Sequence, residues 1–360
     1  MSVAVSPEQF KALADCLLDS SGKTPLHERF RALFTLKAVA SEQAVEVIAS
    51  GFADPSALLK HELAYVLGQI GRPSAIPHLE KVLIDADGFQ GEMVRHEAAE
   101  ALGALSSLQS LDLLKRYLGD DSRSVRETCQ IAVAKIEWDH FTEEGRERKQ
   151  DPNFPTIDPA PAAAAAAGEL SNESTSSLRS TMLDESKHLF ERYRAMFALR
   201  NAVVSAPSAD KAREAVLALA DGFNDSSALF RHEIAYVFGQ LSSPFSIPAL
   251  LRTMRDAKED DMVRHEAAEA LGGIASEGEQ GTFDSPEDEA KGVLQILRDW
   301  AVNEHAPPVV RESCQVAVDM WEYENSNQFQ YADGLTAGAQ EIEAGKQRLT
   351  GMDRGVNIAA

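Results

Sequence analysis

Four His-Glu dipeptides in two matched pairs carry the chemistry this chain could do. His61-Glu62 and His96-Glu97 lie 35 residues apart, and His232-Glu233 and His265-Glu266 lie 33 apart. Their flanks repeat too: KHELAYVLGQ from Lys60 answers RHEIAYVFGQ from Arg231, and MVRHEAAEALG starts at both Met93 and Met262. Imidazole nitrogen and carboxylate oxygen are ligands for iron, manganese and zinc. Two His and one carboxylate per ion, without thiolate, lean toward non-haem iron. Adjacent helical residues point roughly 100° apart, so the two members of one dipeptide need not share a target. Some carboxylates should therefore bind metal while others bridge or orient substrate. The duplication is what makes the pattern informative.

Packing habits explain less of it. VRxxAAxALG is a common helix pattern of stacked repeats, and a Glu after an Arg often makes a surface ion pair. His27-Glu28 serves as an internal control: its counterpart is Phe190-Glu191, so that His is ordinary. The other four His keep both their position and their Glu, which an ion-pair habit does not require. His78, His140, His188 and His305 have no matching pattern and are read as structural or exposed. No GxSxG, P-loop or HExxH occurs, since His61 is followed by ELAY and His96 by EAAE. Arg95 and Arg264 are read as surface-paired. Gly68, Gly239, Gly103 and Gly272 are read as helix caps.

Helices must position these groups. Each unit of about 33–35 residues reads as two amphipathic helices with a short break, as in SALLKHELAYVLGQIG, a break at Pro73, then SAIPHLEKVLIDA. Such hairpins stack into an α-solenoid because none can bury its apolar face alone. The expected fold is all-α: two halves of four HEAT-like hairpins, residues 1–140 and 181–325, facing each other. Equivalent helix positions then fall side by side, and eight ligand-capable groups converge, enough for two ions with positions left open. Residues 141–180 read as a flexible linker, and 326–360 as a peripheral tail. The offset between matching segments runs 163, 171, 169 and then 185 residues, which places insertions near VSAPSADKAR and in the acidic stretch at 275–288.

Composition narrows the partners. The 360 residues carry 57 acidic against 35 basic side chains, a net charge of −22. This argues against nucleic acid, whose phosphates reward clustered Lys and Arg. Cys16, Cys129 and Cys314 are scattered, without CxxC, so no disulfide framework is expected. No signal peptide and no membrane segment are apparent. The protein is expected in the cytoplasm, with the nucleus as a second compartment.

Two helical halves with two His-Glu pairs each resemble the deoxyhypusine hydroxylase family, over about residues 10–140 and 181–325. The resemblance implies a di-iron monooxygenase. It would hydroxylate the deoxyhypusine side chain of a translation initiation factor to hypusine, using dioxygen and an external reductant. It further implies His61, His96 and Glu97 on one iron and His232, His265 and Glu266 on the other. Glu62 and Glu233 match positions tied to the same site, as ligands or as carboxylates holding the cationic substrate arm, and Met93 and Met262 would flank the pocket. Two other readings stay open: a non-catalytic HEAT-like scaffold of the phycobilin-lyase repeat type, and a binuclear zinc or manganese hydrolase.

Overall fold

The computed structural model describes residues 4–19, 21–147, 151–163, 175–275 and 283–325. Among them every regular element is helical. The chain divides into two compact units. The first holds four hairpins: α1 (Pro7–Leu17) with α2 (Leu26–Val39), α3 (Glu42–Ser50) with α4 (Ala57–Ile70), α5 (Ile76–Ile84) with α6 (Glu92–Ala104), and α7 (Leu111–Arg116) with α8 (Arg123–Phe141). The short α9 (Glu143–Glu147) follows. The second repeats the plan: α10 (Thr175–Leu183) with α11 (Leu189–Val204), α12 (Ala209–Ala220) with α13 (Ala228–Leu241), α14 (Ile247–Arg255) with α15 (Asp261–Ala275), and α16 (Pro286–Ala301) with α17 (Pro308–Asn325). In each unit the second helices of successive hairpins pack on one another, α2–α4–α6–α8 and α11–α13–α15–α17. This is the stacked α-solenoid expected from the repeats.

Close packing of these second helices depends on small residues. A Cβ on Gly68 would lie 2.9 Å from the Ala101 backbone, one on Gly103 3.1 Å from that of Ala132, and one on Gly272 3.1 Å from that of Ala317. Gly68, Gly103, Gly239 and Gly272 thus sit inside helices where two backbones approach, and the cap reading is corrected. The cap of α4 is Gly71, in the left-handed region at φ 72°.

A repeated arginine device sets where the helices begin. Arg29 donates from Nε to the Leu17 carbonyl (2.9 Å) and from Nη2 to Asp54 (2.5 Å). Arg95 does the same with Leu83 (3.1 Å) and Asp120 (2.5 Å), and Arg192 with Met182 (2.8 Å) and Asp225. Each Asp also accepts from a backbone N–H two residues on, at Ser56 (2.8 Å), Ser122 (2.9 Å) and Ser227 (2.8 Å). Those serines are the N-caps of α4, α8 and α13. Arg95 is therefore an inward strut rather than a surface pair, and Arg264 does both, donating to the Met254 carbonyl at 3.0 Å and to the exposed Asp261 at 3.4 Å.

Of the stretch read as linker, residues 148–150 and 164–174 lie outside the described residues, and α10 already starts at Thr175. In the first unit the Gln69 carboxamide pairs with the Ile157 backbone, donating to its carbonyl (3.1 Å) and accepting its N–H (2.9 Å). In the second, Arg200 lies 3.7 Å over the Phe154 ring. The acidic insertion is described from residue 283, where Ser285 caps α16 and Arg255 forks onto Asp288 at 2.8 and 2.7 Å. The tail 326–360 lies outside the described residues.

Candidate metal centre

Each of the four histidines is the fifth residue of its helix: His61 on α4, His96 on α6, His232 on α13 and His265 on α15. Equal register on stacked helices brings them together in pairs. The His61 and His96 rings are 5.5 Å apart, and His232 and His265 are 5.6 Å apart. All eight members of the dipeptides are buried.

The pairs interlock across helices. His61 Nε2 lies 3.2 Å from Glu97 Oε2, and His232 Nε2 lies 3.4 Å from Glu266 Oε2. An imidazole from one hairpin thus meets the carboxylate of the next, in the same way in both units. His61, His96 and Glu97 each offer a donor atom within 4.8 Å of the others, as do His265, Glu266 and Glu269. Buried nitrogen and oxygen donors without sulfur suit a borderline cation such as Fe(II).

The divergence expected within a dipeptide does not keep His61 and Glu62 apart. His61 Nδ1 lies 3.3 Å from Glu62 Oε1. Burial alone would lower the affinity of His61 for a proton. The charge of Glu97 and the hydrogen bonds of Glu62 and Glu97 outweigh burial and hold its pKa well above the usual histidine value. A cation can replace that proton between the same carboxylates.

Met93 and Met262 each lie one turn before a histidine, the first half-buried and the second buried. Glu269, not singled out from the sequence, reaches His265 Nδ1 at 3.4 Å. Its one visible signal is recurrence, since Glu100 occupies the same place in the other MVRHEAAEALG copy. His78, by contrast, pairs with Glu46 (3.3 Å) at the exposed face of unit 1, and His140 meets the Ser106 carbonyl at 2.9 Å.

Two repeat families match the chain. A model described as HEAT repeats covers residues 214–318, and one described as PBS lyase HEAT-like repeat covers 59–85 and 94–120. The matched windows contain all four dipeptides, so the motifs sit on ordinary hairpins of this class. Full-length relatives decide more. The Deoxyhypusine hydroxylase of Cryptococcus neoformans var. neoformans is 57% identical over 100% of this chain and 98% of its own. The chain belongs to the deoxyhypusine hydroxylase family. The Lentinula edodes hydroxylase is 52% identical over 94% of this chain and 99% of its own, and that of Drosophila melanogaster 45% over 92% and 97%. The solved human deoxyhypusine hydroxylase, in complex with glycerol, superposes with a TM-score of 0.73 at 43% identity, covering 88% of this chain and 96% of that one. Membership in a hydroxylase family over the full length sets aside a bare lyase-type scaffold.

Proposed function

We propose that the chain is a deoxyhypusine monooxygenase that hydroxylates the deoxyhypusine side chain of a translation initiation factor, giving hypusine, with two irons per chain, dioxygen and an external reductant. The observation that carries this reading is the interlocked pair of buried donor sets, His61/His96/Glu97 in one unit and His232/His265/Glu266 in the other, in a chain of this family. Iron supplies the activation of dioxygen that attack on an unactivated C–H bond demands and that no side chain provides.

Each unit holds one ion by its two imidazoles and the cross-helix carboxylate. Glu62 lies beside His61 Nδ1 and fixes the ring through that nitrogen. Glu62 and Glu233 also serve as the carboxylates that hold the ammonium groups of the substrate arm by charge-assisted hydrogen bonds. Met93 and Met262, one turn from His96 and His265, form apolar wall beside the methylene arm. Among the described residues no helix is long and apolar enough to cross a membrane, and we place the protein in the cytoplasm, with access to the nucleus.

The deciding experiment combines metal analysis with an oxygen-dependent assay on the deoxyhypusine-bearing factor. The expected result is two irons per chain and hypusine formed only with dioxygen and reductant. Activity that persists without dioxygen, or in metal-free folded protein, overturns the proposal and favours a hydrolase or a scaffold.

Truncating Glu62 or Glu233 to Ala is expected to raise KM for the factor by about ten- to a hundredfold, the worth of one hydrogen bond to a charged group. Iron content should stay near that of the parent in Glu233→Ala, whereas Glu62→Ala also removes the partner of His61 Nδ1 and should loosen that ion as well. Steady-state kinetics beside metal analysis check this, and an unchanged KM removes both residues from substrate binding.

A further inference from the structure

His265 has a hydrogen-bond partner that none of the four dipeptides supplies. One turn further along α15, Glu269 Oε1 lies 3.4 Å from His265 Nδ1. The same oxygen accepts a hydrogen bond from Ser313 Oγ on α17, at 2.8 Å. Two donors from two helices therefore converge on one carboxylate oxygen, whose two lone pairs they occupy.

The hydroxyl at the matching place of the first unit is used differently. Thr128 stands where Ser313 stands, in VRETCQ against VRESCQ, but its hydroxyl proton goes to the Ser124 carbonyl of its own helix at 2.9 Å. A hydroxyl has one proton to donate. The counterpart of His265 there is His96, and Thr128 has no proton left for Glu100, the counterpart of Glu269.

We propose that Glu269 is a positioning residue of the metal centre, locked by Ser313, which takes the Nδ1–H of His265 in a hydrogen bond and so presents Nε2 to the ion. The inference rests on His265 being a ligand. A carboxylate on the far nitrogen of a ligating imidazole fixes its tautomer and ring orientation and raises its basicity. Glu269 lies close enough to the donors of His265 and Glu266 to be taken for a ligand itself. Its Oε1 is occupied by Ser313 and His265, which favours the supporting role.

The test loads the full chain with Co(II) and follows chelator competition through the visible d–d absorption, with apo-protein melting recorded in parallel. Glu269→Ala should weaken one of the two ions by about ten- to a hundredfold, the usual cost of removing such a partner. Ser313→Ala should act in the same direction, by less. Glu269→Gln should keep most of the affinity, because its carboxamide oxygen still accepts from Nδ1–H. Apo melting temperatures should stay together. Parental affinity in Glu269→Ala overturns the inference. So does equal loss in Glu269→Gln and Glu269→Ala, which makes the residue a ligand, and so does a loss that merely tracks melting. If Glu269→Ala does not fold, Ser313→Ala and Glu269→Gln decide alone. His265→Ala is the reference: Co(II) binding equal to the parent there overturns the ligand assignment, and this inference with it.

Discussion

His61→Ala and His265→Ala should each strip the iron of their own unit, halving the metal per chain, and bring hypusine formation below about one hundredth of the parent rate. Loss of a mere supporting partner costs about ten- to a hundredfold in metal affinity or activity, so loss of the imidazole itself must cost more. Both rings are buried on the fifth residue of their helices, whose starts are held elsewhere, α4 by its N-cap Ser56 and α15 by Asp260, which accepts the Met262 N–H at 2.9 Å. The helices should therefore persist, with far-UV circular dichroism unchanged. His78→Ala is the matched control: its Nε2 pairs with Glu46 at 3.3 Å on the exposed face, and iron and activity should both survive. Metal analysis of the purified variants settles the matter, and full iron content in either would remove that histidine from the ligand set.

That these four residues could be picked out at all follows from the repeat. A single His-Glu is weak, but the same pair at the same register of stacked helices must return to the same wall, whatever the surrounding side chains do. The capping serines were not read from the sequence, although they carry a signal there. Ser56 and Ser227 each precede an apolar run, and a hydroxyl there has an N–H to accept from. Pairings over long sequence distances were not legible. Nothing in the sequence around Glu97 says that its carboxylate meets His61, or that Gln69 closes on the Ile157 backbone.

The glycines show the same limit from the other side. Gly68 lies near the end of α4, where a cap and a close approach look alike in sequence. Only Ala101 on α6, 2.9 Å from where a Cβ would stand, separates them. Glu62 was hard for a different reason: rotamers of a long side chain can undo the divergence of two adjacent Cβ directions. Glu269 repeats as Glu100, so its recurrence could be seen, whereas Ser313 reaches it from another hairpin.

Arg192→Ala should be the most destabilising of the single changes outside the metal centre, at about 3–5 kcal/mol. Its guanidinium is buried, donates to Asp225 and to the Met182 carbonyl (2.8 Å), and lies 4.3 Å over the Phe230 ring. Asp225 is also buried and is tied into the start of α13, accepting the Ser227 N–H at 2.8 Å. Removing the arginine strands that carboxylate without its counter-charge, a much larger penalty than the net worth of the pair. Asp225→Ala strands the guanidinium instead and should cost a similar amount. The double variant Arg192→Ala/Asp225→Ala leaves neither charge buried, so it should be well short of the sum of the two. Because α13 carries His232 and Glu233, the loss should reach the metal centre as local fraying before global unfolding. Urea midpoints of the parent, both single variants and the double close the cycle. Additive single effects, or an Arg192→Ala cost below about 1 kcal/mol, the range of exposed pairs, would mean that this strut is solvated and contributes little.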